Sequence, residues 1–157
     1  VTLQGKGLAA TTSVHFGDAK AHFKIVGDNK LIATVPARAH SGPIVVTSPL
    51  KQVQSRNSFA ILPSPETKPR IEGVARVGHH LEATTGVWYG DPAKSYTFQW
   101  LSCETRALDC TPIPGATKQS LKLGPRRLGE RLRVVVTVHT GFHTASARSK
   151  ATAIVTQ

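Results

Sequence analysis

The clearest pattern in the chain is strict alternation of apolar and polar side chains. In Arg131-Leu132-Arg133-Val134-Val135-Val136-Thr137-Val138, the residues Leu132, Val134, Val136 and Val138 share one face, and Arg131, Arg133 and Thr137 share the other. A period of two puts successive side chains on opposite sides of a strand, so this segment predicts an antiparallel strand with one buried and one wet face. The same reading places Val14 and Phe16 inward and His15 outward in Ser13–Phe16. It puts Ala21, Phe23 and Ile25 on the buried face of the next run, and Leu31, Ala33 and Val35 on that of a third. Pro43–Thr47 and Ser58–Leu62 complete a first series of strands. A second series is predicted at Leu81–Thr85, Tyr96–Trp100, Ser120–Leu123, Leu132–Val138 and Ala151–Val155. Turn signals such as Gly17-Asp18 and Gly27-Asp28-Asn29 separate strands at the short intervals of an all-β sandwich. No segment carries a convincing amphipathic-helix period.

Between the two series, Leu62-Pro63-Ser64-Pro65-Glu66-Thr67-Lys68-Pro69 holds three prolines in eight residues. Such a stretch favours extended polyproline geometry and reads as a stiff spacer. The predicted organisation is therefore a domain over residues 1–62, a linker over 63–69 and a domain over 70–157.

Composition refines this picture in three ways. The net charge of +11 is spread evenly: residues 1–63 carry seven Lys/Arg against two Asp, and residues 69–157 carry twelve against six acids. That distribution suits attraction to anionic polymers in general without specifying nucleic acid. No apolar run approaches the roughly 20 residues that span a bilayer, so no membrane insertion is expected. With no Met and a start at Val1-Thr2-Leu3, the chain reads as part of a longer product whose upstream region is missing.

Cys103 and Cys110 are the only cysteines. Two thiolates are too few for a structural zinc site, which takes four ligands. A disulfide closing a short loop is the better reading and implies an oxidising, extracellular compartment; two unpaired thiols are the alternative.

Four ordered motifs carry a family resemblance in the first region. Thr2-Leu3-Gln4-Gly5-Lys6-Gly7-Leu8, Thr12-Ser13-Val14-His15-Phe16-Gly17, Leu31-Ile32-Ala33-Thr34-Val35-Pro36 and Ser41-Gly42-Pro43-Ile44-Val45-Val46-Thr47 resemble the IPT/TIG immunoglobulin-like module. That family has a further strand before the first motif, and here it is absent. Residues 69–156 resemble the Ig-like repeats of secreted and surface proteins of Gram-positive, especially actinobacterial, lineages. The matching pieces are Gly73–Gly78, Gly86-Val87-Trp88, Ser95–Trp100, the cysteine pair, Ile113–Thr117 and Leu128–Val134. The resemblances imply two tandem immunoglobulin-like antiparallel sandwiches, a local Cys103–Cys110 disulfide, and a place on or outside the cell surface.

Candidate chemistry is sparse. The seven histidines lack partners at metal-ligand offsets, and His79 and His80 are adjacent, so a strand sends them to opposite faces. No Gly-x-Ser-x-Gly elbow is present, and nine acids, mostly in turns or beside Arg and Lys, offer no carboxylate pair across a cleft. No enzyme activity, cofactor or metal is expected. Trp100 reads as core; Trp88 and Tyr89, before a Gly90-Asp91-Pro92 turn, are candidates for stacking on sugar faces. Lys20 and Lys24, with His22, form one basic stripe, and Arg131 and Arg133, near Arg126 and Arg127, form another. These stripes lack the interleaved aromatics of nucleic-acid platforms, so no specific nucleic acid is expected.

The leading expectation is a non-enzymatic structural or adhesive segment of a larger secreted or cell-surface bacterial protein. It would contact neighbouring domains or copies of itself, assembling through sheet edges into a filament or array, with an anionic cell-wall polymer or polysaccharide as a further partner. The alternatives are an accessory carbohydrate- or cell-wall-binding module of an extracellular enzyme, and a phage virion or tail decoration module.

Overall fold

The computed structural model describes residues 1–104 and 109–157, and they divide into two units. The first comprises Val1–Leu62 with the Tyr89–Pro92 turn, and the second Pro63–Trp88 with Ala93–Gln157. Among the described residues every regular element is a strand or a single 3-10 turn.

In the first unit the strands are β1 (Thr2–Gln4), β2 (Ser13–Phe16), β3 (Ala19–Gly27), β4 (Lys30–Thr34), β5 (Gly42–Thr47) and β6 (Gln52–Phe59). They follow the order β1-β4-β3-β2-β5-β6, all antiparallel where paired. Strand β3 makes the layers. Its first residues pair with β2 (Ala19 opposite Phe16, Ala21 opposite Val14), while His22 to Gly27 pair with β4. One strand thus serves two sheets, and the core closes between them: Val14, Phe16 and Ile44 meet Leu31 and Ala33. Phe59 packs edge-on against Phe16, with ring centroids 5.1 Å apart. Ser41 N–H donates to Asp91 Oδ1 at 2.6 Å, and the His40 ring nitrogen Nδ1 lies 3.0 Å from Gly90 O.

The predicted inward positions are buried or packed against the core in this unit, with one exception. Ile25 is 37% exposed. It lies near the far end of β3, beside the register shift between Ile25 and Gly27 where pairing with β4 becomes irregular. The last strand also differs from expectation: β6 spans Gln52–Phe59, and Leu62 is exposed. Polar residues fill most of β6, so no alternation announced it.

The second unit places a four-stranded sheet against a three-stranded one. The larger has the order β12-β11-β14-β15, from β11 (Ser95–Cys103), β12 (Cys110–Pro112), β14 (Arg131–His139) and β15 (Thr144–Arg148). The smaller has the order β13-β9-β8, from β8 (Ile71–Gly73), β9 (His80–Ala83) and β13 (Ser120–Lys122). Its core contains Leu81, Ala83, Trp100, Leu123, Leu132, Val134, Val136 and Val155. Trp100 is fully buried, and its indole N–H donates to Lys118 O at 2.9 Å, which satisfies the one polar atom of the ring. Two facing antiparallel sheets around a central tryptophan form an immunoglobulin-like β-sandwich.

Two segments depart from their sequence-based reading. Ser64–Thr67, within the expected spacer, is a strand, β7, paired with β10 (Val87–Tyr89). Its four residues are exposed, and a proline is tolerated on such a two-stranded edge because extended and polyproline backbones are neighbours. Gly86 enters this pairing with φ of +74°, and a Cβ there would run into Thr67 O. The other departure is Ala151–Val155, which forms no regular strand although Val155 is buried. The segment does run beside β14. However, Thr152 Oγ1 takes the Leu132 N–H at 3.0 Å and Ser149 Oγ takes the Val134 N–H at 3.0 Å. Side-chain hydroxyls thus replace part of the ladder that a strand would supply.

Cys103 and Cys110 are joined by a disulfide and sit opposite each other on β11 and β12, with Cα atoms 4.0 Å apart.

Three stability outcomes follow from this packing. Trp100→Ala is expected to lower the stability of the second unit by about 3–5 kcal/mol, read from denaturant unfolding followed by circular dichroism. Replacing both cysteines by serine is expected to lower it by about 2–3 kcal/mol, with reducing agent producing the same loss in the unmodified protein. Gly86→Ala combines a left-handed backbone with a blocked Cβ, so a loss greater than about 1 kcal/mol is expected in the same measurement.

Candidate functional site

The outward face of the four-stranded sheet gathers most of the chemistry in the second unit. Since β11 and β14 pair residue by residue, the rows across the sheet can be read from the register. Cys110, Cys103 and Arg131 form one row, followed by Pro112, Leu101 and Arg133. Next come Gln99, Val135 and Arg148, then Thr97, Thr137 and Ser146, and finally Ser95, His139 and Thr144. Residues two apart on a strand rise about 6.6–6.8 Å, which spaces Arg131 from Arg133. Arg148 is diagonal to Arg133, a separation of about 7–8 Å between backbones. The face therefore carries three guanidinium groups at one end and a ladder of hydroxyls at the other.

No carboxylate lies on β11, β12, β14 or β15. The closest acids in sequence are Glu104 and Asp109, next to the disulfide, and Glu130, next to Arg131. Glu130 is engaged: its Oε2 is 2.9 Å from Arg127 Nη1. Arg131 Nη1 donates to Thr152 O at 2.8 Å, which fixes the direction of its side chain. Arg133 is half-buried, and its Nε is buried without a hydrogen-bond partner among the described residues. Opposite Arg133 and Arg131 lie Leu101 and Cys103, both buried although they are on the outward face. Arginine stems cover apolar neighbours of this kind while their heads stay polar. Thr137 and Ser146 hydroxyls are 2.7 Å apart, and Thr97 Oγ1 is 3.1 Å from His139 Nε2.

Of the four arginines singled out from sequence, Arg131 and Arg133 share this face. Arg127 is neutralised by Glu130, and Arg126 is exposed on the 3-10 turn Pro125–Arg127. Arg148 belongs to the face and was missed, because β15 was not predicted. Its signal was the alternation in Thr144-Ala145-Ser146-Ala147-Arg148, muted by small residues. Phe142, 76% exposed at the turn joining β14 to β15, was also missed.

Trp88 is half-buried, and its indole N–H donates to Thr85 O at 2.9 Å. Tyr89 is 37% exposed and belongs to the first unit, whereas Trp88 belongs to the second. In the first unit, Lys20, His22 and Lys24 are all exposed on β3 as expected. They do not make one ladder, because Lys20 pairs with β2 opposite His15 while Lys24 pairs with β4 opposite Ile32.

The first unit also contains a groove of about 470 Å³ beside the edge strands β1 and β6. Leu3, Leu8, Ile44, Val46 and Val53 give it an apolar lining, and Lys6 and Lys51 are its charged residues. Among the described residues no group of three His, Cys, Asp or Glu side chains could hold a metal ion. No helix there is long and apolar enough to cross a membrane.

No family model matches the chain, and no curated protein matches it. Among solved structures it is similar to domains A168–A170 of titin, with 15% sequence identity and a TM-score of 0.38. That match covers 94% of this chain and 55% of the titin chain, so the chain spans about half the length of the structure it matches.

Proposed function

We propose that this chain is a non-enzymatic adhesive segment of a larger secreted or cell-surface bacterial protein, and that it holds an anionic cell-wall polymer or polysaccharide. In this reading the first unit is an IPT/TIG-type module, and the second a bacterial surface Ig-like repeat. The observation that carries the proposal is the carboxylate-free outward face with Arg131, Arg133 and Arg148. A planar guanidinium meets phosphate or sulfate oxygens with paired N–H groups, and three of them several ångströms apart suit a ligand that repeats its charge. An open sheet face fits a long polymer better than a small substrate. The disulfide agrees with an oxidising compartment and secures β12 beside this face.

The hydroxyls of Thr137, Ser146 and Thr97 extend the polar surface beyond the guanidinium groups, although Thr137 and Ser146 bond each other and Thr97 bonds His139. Trp88 supports a sugar-stacking alternative less well, since its ring is half-buried and its N–H is already engaged.

Binding to immobilised dextran sulfate and to a poly(glycerol phosphate) chain tests this directly, with neutral dextran as control. Affinity for the charged polymers is expected to fall as salt rises. Replacing Arg131, Arg133 and Arg148 together by Gln is expected to reduce the slope of log K against log salt by about 2–3, roughly one per lost contact. Replacing Arg126 and Arg127 is expected to change it less. Equal binding to neutral dextran, or a slope untouched by the triple substitution, would overturn the proposal.

A further inference from the structure

The groove of the first unit combines three features that together describe a ligand. One is unused backbone. Val1 and Ala33 exchange both of their backbone hydrogen bonds, and Gly5 N–H donates to Asn29 O, so the odd-numbered residues of β1 face β4. Alternation then turns the N–H and C=O groups of Thr2 and Gln4 toward the free edge. The same logic applies to β6. Ser48 N–H donates to Lys51 O and Val46 is opposite Val53, which leaves the backbone groups of Gln52 and Gln54 directed away from β5. Thr2, Gln4 and Gln54 all line the groove.

The second feature is apolar surface, from Leu3, Leu8, Ile44, Val46 and Val53, with Val53 45% exposed. The third is charge of one sign: Lys6 and Lys51 line the groove, and no carboxylate does. An edge strand with apolar residues beside it receives an extended peptide by adding it as another strand, and the flanking charges set which peptide.

We propose that this groove docks an extended segment of another polypeptide in which apolar and acidic residues alternate. The apolar side chains would cover Leu3, Val46 and Val53, the backbone would pair with Thr2 and Gln4, and the carboxylates would meet Lys6 and Lys51. A second copy of this chain does not fit that description. Nowhere in its sequence do two carboxylates stand at alternate positions, and its net charge is +11. Lysine on a sheet edge also discourages pairing with a like edge.

The test is a titration of the isotopically labelled chain with three heptapeptides, alternating Glu with Val, Lys with Val, and Glu with Ser. The Glu/Val peptide is expected to bind saturably and to shift the amide resonances of Thr2, Gln4 and Gln54. The Lys/Val and Glu/Ser peptides are expected to bind at least roughly tenfold more weakly, the first through like-charge repulsion and the second through lost apolar burial. Lys6→Glu with Lys51→Glu is expected to reverse the order of the Glu/Val and Lys/Val peptides. Should that variant fail to fold, the discrimination by the unmodified chain still decides. Absence of binding, indifference to charge, or shifts confined to Arg131, Arg133 and Arg148 would overturn this inference. The last of these results would leave the polymer-binding proposal standing. Self-association in sedimentation that is abolished by Gln54→Pro would assign the groove to a second copy and overturn it as well.

Discussion

The second sandwich depends on the register between Ser95–Cys103 and Arg131–His139. Nine consecutive pairs, from Ser95 with His139 to Cys103 with Arg131, fix which residues of both strands face inward. A slip by one position would carry Leu132, Val134, Val136 and Val138 to solvent and bring Arg131 and Arg133 into the core. Burial of those four aliphatic side chains and Trp100 therefore specifies the arginine face. The packing of one side and the chemistry of the other are a single constraint, and the disulfide extends it to β12.

That coupling explains what was legible in the sequence. Strand β14 could be read because large aliphatic residues alternate with Arg and Thr, and the same alternation placed Arg131 and Arg133 outward. Strand β15 could not, since Ala145 and Ala147 are too small to mark an inward face, and Arg148 was lost with it. Ala151–Val155 misled for the opposite reason. Its composition is strand-like, yet hydroxyls from Ser149 and Thr152 occupy the N–H groups of Val134 and Leu132. The pairing of Arg127 with Glu130 removed one predicted cation, a matter of side-chain geometry that spacing three apart does not settle outside a regular helix. In the first sandwich the inward positions of β2 and β4 were evident, but β6 was not, because its polar residues lie at a sheet edge.

The first sandwich rests on a different device. Strand β3 changes partner between Ala21 and His22, so its two halves belong to two layers. A strand shared in this way joins the layers along one side and leaves β1 and β6 as the terminal strands of the order. The groove follows from that topology rather than from any single residue. Free edges ordinarily invite aggregation, and lysine is a common protection against it. Lys6 and Lys51 flank β1 and β6, and in the proposed docking the same two charges would select the strand.

The two surfaces proposed for binding differ in kind on the same class of fold. At the arginine face β11 and β14 are paired on both sides and offer only side chains, whereas β15 is a terminal strand whose Thr144, Ser146 and Arg148 backbone groups turn away from β14. Preorganisation of the face comes from the stem of Arg133, half-buried beside Leu101, and from the bond holding Arg131 to Thr152. Restricting a guanidinium before the ligand arrives lowers the entropy lost on binding, which matters for contacts that are individually weak at an exposed surface. In the proposed reading, repetition would multiply such contacts along a polymer. The groove has fewer charges and two terminal strands, with the backbone groups of Thr2, Gln4, Gln52 and Gln54 directed outward, so in the proposed docking the main chain of the ligand would supply much of the interaction. A uniformly basic composition alone indicates little beyond a preference for anions; the register of β14 is what decides which arginines of the second unit share a face.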